Sequence, residues 1–325
     1  MQELNGQINA LQVTLNNRKT NNQSITNHLT LSILNKMEAN STAPVKGHAL
    51  VKSNVTGIKN AFWVIIACFV VAVCAFLFFF GHPSNFDYEL ADGASAPASM
   101  WFFDGEAHPA NLIGTIFKGG IIVPILQTLF LTVIVLSVER YIALSSAKGK
   151  GNITKFVENV KVKLQKNDIA GALELCKTQK GSVAAVVSAA LIRYEEMDKN
   201  TVLTKEQKVQ TLQKEVEEAT AMEMPTLQQN LPIVATLTTL GTLVGLLGPV
   251  IGMIKSFQAL SASGAPDSTA LSTGISEALV NTAFGIATGA FAVISYNYYT
   301  TKIDNLTYAI DEIGFSIVAT FAATH

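Results

Sequence analysis

From Leu231 to Leu260 the chain reads LPIVATLTTLGTLVGLLGPVIGMIKSFQAL, and from Thr273 to Thr300 it reads TGISEALVNTAFGIATGAFAVISYNYYT. Each run is long enough to cross a hydrocarbon core of about 30 Å as a helix. Neither has the side chains that lipid alone would select. Gly241, Gly245, Gly248 and Gly252 recur every three or four residues, which makes one smooth helix face where another backbone can approach closely. Gly285 and Gly289 repeat the device in the second run. Near the start of that run stands Glu277, an ionisable group that is costly in a bilayer unless it faces protein or water. The reading is an all-α, polytopic membrane protein, and the rest of the chain is placed relative to this hairpin.

Composition agrees. With 49% hydrophobic residues, 14% charged residues and mean hydropathy +0.33, the chain is too apolar for an ordinary soluble domain. A formal net charge of −1 gives no nucleic-acid footprint. Three cysteines, Cys68, Cys74 and Cys176, form no disulfide framework and no zinc spacing, so no metal site and no cofactor is expected. No nucleophile constellation or phosphate loop argues for an enzyme.

Working outward, residues 1–60 form a polar tail in which Leu4, Ile8, Leu11 and Leu15 keep helical spacing. Residues 61–80 are uncharged and read as an additional first span rather than a cleaved signal. Residues 81–118 form an outer loop whose opening stretch, 81–111, holds five carboxylates and no Lys or Arg, with Trp101, Phe102 and Phe103 as an interfacial anchor. The second span is drawn over 119–138, with Leu112 to Lys118 lying at the interface before it and Pro124 as a potential kink. Residues 139–230 form a polar helical domain with fourteen Lys or Arg, broken at Asn167-Asp168 and Lys180-Gly181. The third and fourth spans are drawn over 231–254 and 274–299, joined by a short outer connection, 255–273. A helix over 300–325 carries Ile303, Leu306, Ile310, Ile313 and Ile317 on one side. Six basic residues precede the first span, so positive-inside places both termini and the 139–230 domain in the cytoplasm of a multi-pass protein.

Two stretches resemble a known family. GLLGPVIGMIKSF, 245–257, is similar to the GLLGTVxGM motif of the MotA/TolQ/ExbB proton-channel family, and EALVNTAFGIATGAFAVISYNYY, 277–299, to its EAL…TAxGL…A…YN motif. IVPILQTLFLTVIVLSVERYIAL, 122–144, resembles the family's first core span, and KNDIAGALELC, 166–176, its cytoplasmic helical repeat. The resemblance covers about residues 112–320 and is strongest to the ExbB branch. It implies a channel core over 119–325 that forms a homopentamer around an ExbD-like single-span partner in the bacterial inner membrane. Proton flow there would drive a TonB-like energy transducer. Glu277 and Thr282 match the last-span Glu and Thr of the family's channel. Where the family motif has Thr, this chain has Pro249, so Thr242 and Thr238 become alternative hydroxyl positions. The tail and the first span lie outside the resemblance.

At about 100° per residue, Glu277, Asn281, Thr288 and Ser295 share one stripe, while Thr282 lies roughly 140° from Glu277. The stripe either lines a wet lumen within a proton pathway or forms a polar seam between helices. A TolQ-like or motility stator subunit, or a non-conducting membrane scaffold, are the competing readings. Four dissimilar spans do not show the repeated halves of a secondary transporter.

Overall fold

The computed structural model describes residues 57–58, 60–87, 108–263 and 268–324. The expectations for the tail up to residue 56 and for the aromatic anchor at 101–103 lie outside the described residues. All described residues belong to one unit, 50–325. Apart from one short ribbon, its elements are helical, and four of its helices are long and apolar enough to cross a membrane. The chain is a multi-pass, all-α membrane protein.

Helix α1, Ala61–Cys74, widens into π-type turns over Ala75–Phe80. No charge, proline or glycine interrupts it until Gly81. Its last carbonyls would be left open. Asn85 satisfies two of them, donating through Nδ2 to the carbonyls of Phe79 at 2.9 Å and Phe80 at 3.2 Å. Phe86–Asp87 and His108–Pro109 pair antiparallel as β1 and β2. Asn111 then caps α2, Leu112–Lys118, by accepting from the Gly114 N–H at 2.9 Å. Phe117 of α2 stacks on Phe76 of α1, with centroids 4.6 Å apart. This pins α2 to the end of the first span.

Helix α3 runs over Ile122–Lys148, starting three residues later than the span drawn from sequence. The reason is local: Gly119 caps α2 and Gly120, at φ 72°, turns the chain. Pro124 falls in the first turn, where its missing N–H has no intrahelical partner to lose, so the kink expected at this position has no such cause.

Beyond Glu139 and Arg140, α3 enters a helical domain with α4 (Ile153–Gln165), α5 (Ile169–Gln179), α6 (Gly181–Lys199) and α7 (Lys205–Gln228). The two expected breaks are present. Asn167 and Lys180 have φ of 55° and 57°, a left-handed backbone that ends each helix. Asp168 caps α5 through the Gly171 N–H at 2.8 Å, and Thr204 and Gln207 form a reciprocal capping box on α7.

The hairpin is formed by α8, Leu231–Ser263, and α9, Ser268–Thr324. Most of the connection expected over 255–273 is therefore helical. Its Ser, Ala and Leu residues tolerate helix, and Ser256 returns its hydroxyl to the Gly252 carbonyl at 3.1 Å. The last span and the helix expected over 300–325 form one continuous element. Helix α9 has 57 residues, about 85 Å of helix, because nothing between Tyr299 and Ile303 stops it. Its distal half returns into the helical domain, where Ile303, Leu306, Ile310, Ile313, Ile317 and Phe321 are buried. Phe321 meets Tyr194 of α6 edge-on at 4.9 Å.

Four segments converge where the spans meet this domain. Arg140, fully buried, donates through Nε to Glu139 Oε2 at 2.6 Å and through a terminal nitrogen to the Leu227 carbonyl at 3.3 Å. Glu139 also accepts from the Ile58 N–H at 3.0 Å, and Asn230 Nδ2 donates to the Ile58 carbonyl at 3.0 Å. The strap ahead of α1 is thereby fastened to the joint between α7 and α8, where Asn230 adopts φ 62°.

Candidate functional site

The glycines of α8 meet α9 of the same chain. A Cβ placed on Gly245 would lie 2.7 Å from the Cα of Gly285, one on Gly241 would lie 2.9 Å from Thr288 Cγ2, and one on Gly252 would lie 3.0 Å from the Gly274 carbonyl. Gly248 is filled by Asn281, and Gly289 faces Thr242 and Thr238. Backbone therefore packs on backbone at Gly245–Gly285 and Gly252–Gly274, and on the short side chains of Thr288 and Asn281 at Gly241 and Gly248. Such packing stabilises a membrane hairpin in place of the hydrophobic effect, which does not distinguish lipid from leucine.

The polar stripe of α9 lies largely inside this chain. Asn281 is 3% exposed, Thr288 0% and Ser295 8%, so each sits between helices of one subunit. Asn281 Nδ2 donates to the Gly119 carbonyl at 3.1 Å, tying α9 to the turn ahead of α3, while its Oδ1 has no partner among the described residues. Thr288 donates to the Phe284 carbonyl at 2.8 Å, within its own helix. Thr242 likewise returns its hydroxyl to the Thr238 carbonyl at 3.2 Å.

Thr282 is half-buried at the edge of the seam, one turn from Ala278 and from Gly285, and its hydroxyl donates to the Ala278 carbonyl at 3.1 Å. The oxygen lone pairs stay available to accept. The backbone of Glu277 belongs to α9 beside Ala278, which packs on Gly252; its side chain lies outside the described residues. Pro249 is half-buried within a continuous α8, where it leaves the Gly245 carbonyl without its intrahelical donor.

A reading of the second span as uniformly apolar misses Gln127. It is 8% exposed on α3, and neither amide atom has a partner among the described residues. Helices α3 and α9 run parallel in constant register, since Gly119 meets Asn281, Phe130 meets Phe291, and Tyr299 donates to the Ser137 carbonyl at 2.7 Å. That register puts Gln127 level with Thr288 and Gly289. A lone Gln in an apolar run is the signal that could have found it.

Fold and seam define a class, a multi-pass helical membrane protein built on a glycine-packed hairpin with ionisable and hydroxyl groups in its last span. The family model for the MotA/TolQ/ExbB proton channel family matches residues 184–312. The chain is 33% identical over 86 residues to a putative biopolymer transport protein, ExbB-like 3, of Synechocystis. It is 34% identical over 88 residues to the Tol-Pal system protein TolQ of Pseudomonas aeruginosa, and 36% over 80 residues to the biopolymer transport protein ExbB of Helicobacter pylori. These matches cover 26%, 27% and 25% of this chain and 41%, 38% and 55% of the respective relatives. They span about half or less of the relatives' length.

Proposed function

We propose that the chain is the proton-channel subunit of a bacterial inner-membrane motor, working with an ExbD-like single-span partner to energise TonB-dependent outer-membrane transport. The supporting observation is the family-matched hairpin, whose glycines pack its two helices together and whose last helix carries Glu277 and a half-buried Thr282 beside that packing. In this reading a homopentamer surrounds the partner's helix, and both termini and the 139–230 domain lie in the cytoplasm.

Glu277 sets the potential of the lumen, and Thr282 accepts from a proton-carrying water or from a protonated carboxyl of the partner. Asn281 and Thr288 belong to the same pathway as buried polar stations behind them, and the orphaned Asn281 carbonyl supports a water there. Thr242, Thr238 and the carbonyl freed by Pro249 are secondary positions. Movement of the partner is passed to a TonB-like transducer.

A TolQ-like role is the second reading, because relatives named TolQ match at the same level of identity as those named ExbB. Co-expression of the chain with single-span proteins encoded beside it, followed by purification and identification of what co-elutes, separates the two. An ExbD-like protein together with a TonB-like one supports the proposal. A Tol-type set moves it to envelope maintenance, and elution with no single-span protein leaves the scaffold reading.

A further inference from the structure

A cleft of about 340 Å³ opens between α3 and α9 where the spans enter the helical domain, away from the seam and the residues assigned to the proton path. One wall is Tyr141, Ser145 and Lys148 of α3, and the other is Tyr298, Lys302 and Asn305 of α9. Each set is spaced i, i+4, i+7, so each is one stripe of a helix. Because the helices run parallel in register, the two stripes line the same opening.

The chemistry is one-sided. The lining contains two ammonium groups, phenols, a hydroxyl and an amide, and no carboxylate. Neither Lys148 nor Lys302 has an ion-pair partner among the described residues. Lys302 Nζ lies 5.4 Å from the centroid of the Tyr298 ring, at the lip of the cleft. On the membrane side of this polar mouth the surface turns apolar, with Val138 of α3 and Ile294 of α9 exposed.

We propose that this cleft binds the phosphate headgroup of an anionic phospholipid, whose acyl chains lie along the exposed faces of α3 and α9. An unpaired cationic pocket at a span end, with apolar helix surface directly continuous with it, matches both halves of such a molecule. A free phosphate would use the polar half only. The proposal rests on the multi-pass character of the chain and is independent of ion conduction.

The test is native mass spectrometry of the full chain, purified in mild detergent and titrated with phosphatidylglycerol or phosphatidylcholine. Phosphatidylglycerol is expected to bind preferentially, and Lys148→Ala/Lys302→Ala to weaken it roughly thirtyfold at the usual strength of basic residues near a charged bilayer. Lys148→Arg/Lys302→Arg is expected to retain binding. Lys205→Ala/Lys208→Ala, at the start of α7 a helix length away, removes equal charge and is expected to leave binding unchanged. Equal weakening by the control pair, or no preference between the two lipids, overturns the site. Displacement of phosphatidylglycerol by inorganic phosphate overturns the lipid assignment in favour of a soluble anion.

Discussion

Arg140 shows how a single residue can join elements that the sequence keeps far apart. Its guanidinium is fully buried against Glu139 and the last carbonyls of α7, so removing it alone leaves a carboxylate in a dry site. Arg140→Met is expected to cost about 3–5 kcal/mol, because an uncompensated buried charge is worse than no charge. Glu139→Leu/Arg140→Leu should cost less than Arg140→Met. Thermal unfolding of the detergent-solubilised chain checks the order, and the reverse order would mean that water reaches the node. The pair is legible in the sequence as the end of a span, but its contacts to Ile58, Leu227 and Asn230 are not, since no local pattern links positions so distant.

Asp168 gives a pH-dependent case. Its hydrogen bond to Lys163 and that to the Gly171 N–H hold its carboxyl below the usual carboxylate range. The folded value is depressed, so this contribution is complete above the unfolded value near 3.8 and is lost as pH falls through the lower folded value. Asp168→Asn keeps a capping oxygen and loses the titration. Melting of α5 followed by hydrogen exchange should therefore respond to acid less in the variant, and identical acid profiles would show that the cap carries no such linkage.

Among the elements, the α8–α9 hairpin depends on its glycines. Gly245→Leu or Gly285→Leu must separate backbones already in contact, with a cost of about 1–3 kcal/mol or more. The expected result is loss of folded subunit itself, seen as a lower melting temperature before any oligomer is assessed. Melting indistinguishable from wild type would place those faces toward lipid. The glycine period is legible in the sequence because close approach needs that spacing in any helix. The identity of the facing helix is not legible, since a smooth face does not name its partner. Boundaries are lost for a similar reason: Ser, Thr and Ala between 255 and 273 read as turn, yet they also continue a helix when a neighbouring helix holds them.

At the level of the molecule, the charge asymmetry predicts sidedness. Cys176 cannot report it, because burial pushes its thiol up to about 12. In a cysteine-free chain, Thr178→Cys should be protected from an impermeant thiol reagent in intact cells with a permeabilised outer membrane, and Asp87→Cys should be labelled. The opposite pattern would invert the topology. The four spans are legible from apolar length alone and the helix that continues the last span from its amphipathic pattern, whereas its docking against α4, α6 and α7 depends on packing that no local pattern names.

The central claim is that this chain conducts protons only in company with its partner, through Glu277 and Thr282. The direct measurement is proton flux in vesicles containing the purified complex, read with a pH-sensitive dye under an imposed potential. Glu277→Ala and Thr282→Val complexes are expected to assemble normally and to conduct about 10²-fold less than wild type, the scale of one positioned proton-transfer group. The chain without its partner is expected not to conduct. Undiminished flux through both assembled variants would contradict the account.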